Sequence, residues 1–103
     1  MSEEKKSKNV GRRENRAAAM QFIYMREING DTPVADALET FFSSKENGRQ
    51  FYSFAEELIA GVAAHLGEID KVISESATNW STDRIAKVDL AILRLAVFEL
   101  LFR

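Results

Sequence analysis

The sequence predicts an all-helical fold, on three observations. Proline occurs once in 103 residues, at Pro33. Past the first ten residues, apolar side chains recur three and four positions apart, and no stretch keeps up a period-two alternation. The composition is 46% hydrophobic and 29% charged, with five glycines and no cysteine. That describes one small globular domain, a compact bundle of about five helices, and not a disordered or disulfide-stapled chain.

Residues 1–9 read as a disordered polar tail ahead of a helical domain over 10–103. The first helix is expected from about Val10 to Ile28, with Asn9 able to cap it and Asn29-Gly30 as a left-handed stop. Thr32 then caps a second helix, Pro33 to Ser43, with the proline in its first turn. Val34, Ala37, Leu38, Phe41 and Phe42 give this helix one apolar face. Ser44–Asn47 is a polar connection. A third helix, about Gly48 to His65, turns Phe51, Phe54, Ala55, Leu58, Ile59 and Val62 inward, and Gly67 marks a break. A short fourth helix, about Glu68 to Ala77, buries Ile69, Val72 and Ile73. Ser81 caps the last helix, with Trp80 stapled on Ile85 and Asp83 favoured by the helix dipole. From Ile85 to Phe102 only Lys87, Asp89, Arg94 and Glu99 are charged, and they fall on several sides of the wheel. A helix that is apolar nearly all round should be buried on most sides, and the preceding helices do not suffice to cover it.

Composition narrows function by exclusion. Without cysteine and with His65 as the single histidine, thiol nucleophiles, thiolate zinc sites and paired-histidine metal motifs are ruled out. The glycines at 11, 30, 48, 61 and 67 are too dispersed for a phosphate loop. No nucleophile–base pair stands out, so an enzyme is the least favoured class, and no cofactor or metal is expected. Met1–Lys8 is polar and mixed in charge, unlike a secretory signal, and no apolar run approaches a membrane span. A cytoplasmic protein is the simplest expectation.

The net charge of −2 hides a segregation. Residues 1–16 hold six basic and three acidic side chains, and the remaining 87 hold eight and thirteen. Arg12, Arg13 and Arg16 share an arc of about 100° with Met20 and Ile23, so one side of the first helix is basic at its start and apolar afterwards. If the apolar part packs on the body, the arginine end overhangs it and is free for an anion such as phosphate. From charge alone these residues read first as a solvated, partly frayed terminus and second as a nucleic-acid contact. Asp89, Arg94 and Glu99 read as structural pairs or partner contacts. His65 reads as a dipole partner or surface residue. Phe22 points away from the Met20/Tyr24 face, toward a second helix layer or an interface. Phe51, Tyr52, Phe54 and Trp80 could stack on unpaired bases, but their helical spacing favours the core.

The run Arg12-Arg13-x-x-Arg16-x-x-Ala19-x-Gln21-x-x-Tyr24 resembles the opening of the N-utilization substance B (NusB) family. The rest follows in order: Gly61-Val62, Ile69-Asp70, Asn79-Trp80, Asp83-Arg84-Ile85, and the dense block from Val88-Asp89 through Ala91-Ile92-Leu93-Arg94-Leu95-Ala96-Val97 to Glu99-Leu100. The resemblance implies an all-helical RNA-binding factor of transcription antitermination. Such a factor binds the boxA element of ribosomal RNA leader transcripts with NusE, a small-subunit ribosomal protein, and acts on elongating RNA polymerase. It points to Arg12, Arg13 and Arg16 as RNA contacts, and charge extends the set to Lys8. Glu14 stands where relatives often carry another basic residue.

Family members continue past the Glu-Leu of the last helix into a further helix pair. The expectation is therefore a C-terminally shortened chain whose last helix exposes apolar surface, promotes a homodimer and lacks much of the family's NusE-binding surface. Two alternatives stand beside the leading reading. One is the NusB-like N-terminal RNA-binding domain of a ribosomal RNA cytosine methyltransferase. The other is a helical protein-interaction module without RNA activity.

Overall fold

The computed structural model describes the backbone of residues 2–76 and 85–103, and the side chains of residues 11–76 and 85–103. Its elements are α1 (Ser2–Ile28), α2 (Val34–Ser43), a 3-10 turn (Arg49–Tyr52), α3 (Ser53–Ala64), α4 (Leu66–Ser76) and α5 (Lys87–Phe102). No strand occurs among the described residues, and the expected all-α class with five helices is what the chain adopts.

Helix α1 is the spine, about 40 Å long at 1.5 Å per residue. It begins at Ser2, where a tail through residue 9 was expected, and Asn9 lies inside it rather than at its cap. No proline or glycine interrupts residues 2–10, so nothing in the backbone stops the helix there. Its buried row is Asn15, Ala18, Ala19, Phe22 and Ile23, at helical spacing, with Met20 and Tyr24 only partly buried beside it. The small Ala18 and Ala19 leave room for α3 and α5, the two helices that pack most closely on α1. Phe22 meets the second layer: its ring stands edge-on to Phe41 of α2, 5.5 Å between centroids.

Several element ends differ from expectation for identifiable reasons. α1 stops at Ile28, but not through a left-handed Gly30, because among the described residues only Gly48 has a positive φ. Instead Arg26 reaches round the turn, its Nη1 donating to the Thr32 carbonyl at 2.6 Å. α2 starts one residue after Pro33, which occupies the cap position with no side-chain capping bond, so Thr32 does not cap it. Val34 is correspondingly exposed, while Phe41 and Phe42 are buried. The expected third helix is divided. Gly48, at φ 80°, leads into the 3-10 turn, whose tighter winding of about 120° per residue puts Tyr52 in the core and leaves Phe51 partly exposed. α3 ends at His65 (φ −114°, ψ 20°), and Gly67 lies inside α4. The His65 ring stacks on Phe102 at 3.9 Å, tying the end of α3 to the end of α5.

Helix α5 starts at Lys87, after an extended Ala86, and not at Ser81. The expected staple and cap at Trp80, Ser81 and Asp83 lie outside the described residues, while Ile85 is buried ahead of the helix. One side of α5 carries Leu90, Ala91, Leu95 and Phe98 into the core. The other leaves Val88, Ile92, Leu93 and Leu100 exposed. Phe98 lies so close to α3 that a Cβ at Gly61 would fall within its ring, so only glycine fits there.

Arg94 fastens α5 to two neighbours. Its Nε and Nη2 donate to the two oxygens of Asp70 on α4, both at 2.9 Å, and its Nη1 donates to Glu27 on α1 at 2.8 Å. The hydrogen bond from Arg94 holds the Glu27 carboxyl below its usual range, against a smaller opposing effect of burial, and the charges of Arg94 and Lys87 add to the lowering. Burial alone would lower the Arg94 value, but the bonds and charges of Asp70 and Glu27 outweigh it and raise it. Arg94 is thus a structural pairing residue, as its position in a buried helix suggests.

Candidate nucleic-acid interface

At the open end of the bundle, three arginines gather around one aromatic ring. Arg12 and Arg16 lie one turn apart on α1, and Arg103 directly follows α5. Their guanidinium carbons sit 4.8, 5.5 and 5.1 Å from the centroid of Phe54, which stands at the start of α3. Each contact is a cation–π attraction. All three arginines remain exposed, while Phe54 is half-buried.

Asn15 sets this arrangement. It occupies a core position of α1, 3% exposed, and its amide is engaged once within α1 and twice across the junction with the start of α3. Its Nδ2 donates to the Gly11 carbonyl at 2.7 Å and the Phe51 carbonyl at 3.2 Å, and its Oδ1 accepts from the Ala55 backbone N–H at 2.8 Å. The Ala55 amide belongs to the first turn of α3, where no helical carbonyl is available to it. A side chain on α1 therefore satisfies a helix-end donor and fixes the distance between Arg12, Arg16 and Phe54.

Two carboxylates border the cluster. Arg16 Nε donates to Glu99 Oε1 at 2.9 Å, and Arg103 Nη1 lies 3.7 Å from Glu57 Oε2. Glu99 is thereby a structural pairing residue, whereas Asp89 is exposed on α5. Between the arginines and α3 opens a cleft of about 360 Å³, lined by Arg12, Asn15, Phe51, Phe54, Glu57 and Arg103 among others. Arg16 does not line it.

The sequence-predicted contacts divide accordingly. Arg12 and Arg16 converge on Phe54, and Arg13 is exposed one position round the helix. Lys8 lies on α1 ahead of them, its side chain outside the described residues. Glu14 turns the other way, its Oε2 at 3.5 Å from Asn47 Nδ2, so the acidic departure stands apart from the ring. Sequence reasoning missed Arg103 and Asn15. The first is 91 residues from Arg12, and the second is a polar residue at a core position, marked only by its spacing of three and four from Ala18 and Ala19. Among the described residues no group of histidines and acids is placed to hold a metal, and no helix is long and apolar enough to cross a membrane.

Comparison with known proteins agrees with this architecture. The NusB family model matches residues 13–103. The chain is 44% identical over 100 residues to the transcription antitermination protein NusB of Geotalea uraniireducens, covering 89% of this chain and 68% of the relative. It is 38% identical over 96 residues to that of Myxococcus xanthus, with the same coverage. The chain thus spans about two thirds of the length of these relatives. Among solved structures, a chain in a crystal structure of a plectonemic RNA supercoil superposes with a TM-score of 0.78 at 29% identity, over 89% of this chain and 67% of that one. The helical order, the arginine-rich opening of α1 and these matches together place the chain in the NusB family of transcription antitermination proteins, which are not enzymes.

Proposed function

We propose that the chain binds single-stranded boxA-type RNA of ribosomal leader transcripts, together with NusE, as part of an antitermination complex on elongating RNA polymerase. Arg12, Arg13 and Arg16 contact the RNA, with Lys8 extending the basic row. The observation that carries this reading is the exposure of Arg12, Arg13 and Arg16 around the start of the buried row of α1. Guanidinium groups there meet phosphates in charge-assisted bonds, while α3 and α5 hold the helix still.

Charge reversal at Arg13 and Arg16 tests it. The R13E/R16E variant should lose at least tenfold in affinity for a boxA-type oligonucleotide and show a shallower dependence of log affinity on log salt, with unchanged helicity. Unaltered affinity and slope would overturn the assignment. A second reading, docking of a protein, is favoured by the exposed row Val88, Ile92, Leu93 and Leu100 on α5. Such an apolar row suits either NusE or a second copy of the chain. Retained NusE binding in a variant that no longer binds RNA would separate the two surfaces.

A further inference from the structure

We infer that the cleft beside Phe54 is a pocket for a single unpaired base carrying an exocyclic amino group, with the arginines at its mouth holding the adjoining phosphates. The inference rests on the proposed RNA-binding reading and adds to it a place where sequence is read.

The lining argues for a base rather than a phosphate. Phe51 and Phe54 supply apolar walls, and unpaired bases stack on aromatic rings and guanidinium planes. The Asn15 amide, the obvious donor to an anion inside the cleft, is already committed to Gly11, Phe51 and Ala55. The acceptors inside are the Ser53 hydroxyl and the Glu57 carboxylate, whose Oε2 lies 3.7 Å from Arg103 Nη1, beside the Arg12 and Arg103 guanidiniums that line the same cleft. A carboxylate repels a phosphate but accepts hydrogen bonds from the amino edge of adenine, cytosine or guanine. Uracil offers no amino group and is the disfavoured base. Arg12 and Arg103 line the same cleft and lie over the Phe54 ring, so they can follow the backbone on either side of an inserted base. The pocket is composite: α1 gives Arg12, α3 gives Phe54 and Glu57, and the end of α5 gives Arg103.

Abasic scanning tests the pocket on the unaltered protein. A single-stranded boxA-type oligonucleotide with one base removed at a time should show one position where removal costs about tenfold in affinity, the size of a lost stack on an aromatic ring. At that position F54L should add no further loss, although it weakens the intact RNA by a similar factor. 2-Aminopurine placed there should be quenched by the wild type and not by F54L. The E57Q variant should narrow the preference for amino-bearing bases over uracil at that position and leave the other positions unchanged. If no abasic position stands out, or F54L binds intact RNA like the wild type while R13E/R16E does not, the pocket is overturned and the arginine surface stands. If the wild type binds no such RNA, both fail.

Discussion

Arg94 and the Arg12/Arg16/Arg103 group are the same kind of side chain put to opposite uses. Arg94 is 8% exposed and three of its five guanidinium N–H groups are taken by two carboxylates, so burial and pairing together close it to a ligand. The other three are exposed over a ring. A cation–π contact leaves the edge N–H groups of a guanidinium open, whereas a bidentate carboxylate consumes them. What an arginine faces, and not how many arginines there are, separates a fastening from a binding surface.

The largest effect expected from breaking this contrast is at Arg94. R94M strands Asp70 and Glu27, and breaking such a pair costs about 3 kcal/mol, at the low end because both carboxylates keep some contact with water. Urea denaturation should show it as a lower midpoint. Charge reversal at Arg13 and Arg16 should by contrast change stability by no more than about 1 kcal/mol in the same measurement, because the Arg16–Glu99 pair it breaks is solvent-exposed.

Asn15 comes next. N15A leaves the Ala55 amide and the Phe51 carbonyl without their partner and should cost about 2 kcal/mol in the same measurement.

A smaller effect follows from pH. Because the folded-state Glu27 value lies below its ordinary 4.5, its contribution is complete above that range and is lost as pH falls through the depressed value. The stability gap between wild type and R94M should therefore narrow in acid-titrated urea melts. A gap unchanged down to the lowest pH at which both fold would refute the pairing as its source.

The smallest concerns Glu99, which shares Arg16 with any incoming phosphate. E99Q should change stability by less than about 1 kcal/mol, since the pair is solvent-exposed. It should raise RNA affinity a few-fold in a filter-binding titration and make that affinity more sensitive to salt.

Much of the fold was legible because the apolar spacing of α2, α4 and α5 dominates their sequences, and local rules suffice where packing is one-sided. The arginine row was legible for the same reason, as a local pattern on one helix. What escaped depends on contacts between distant segments. Asn15 looks like a solvent residue until Ala55 needs an acceptor. Phe54 reads as core until two arginines of α1 and the one that follows α5 gather over it. The divided third helix and the turn held by Arg26 escaped because Gly48 and Gly30 look alike in sequence, while only Gly48 takes a positive φ.

Gly61 bears on the interface from a distance. Because the Phe98 ring occupies the space of its missing side chain, α5 lies against α3 more closely than any other residue would allow. Phe98 is five residues before Arg103, so the spacing fixed at Gly61 governs how far Arg103 can reach over Phe54. A methyl group at position 61 would lift the far wall of the cleft away from α1 without touching a single charged group. The smallest side chain in the protein thus acts as a gauge for the width of a basic site that it never contacts.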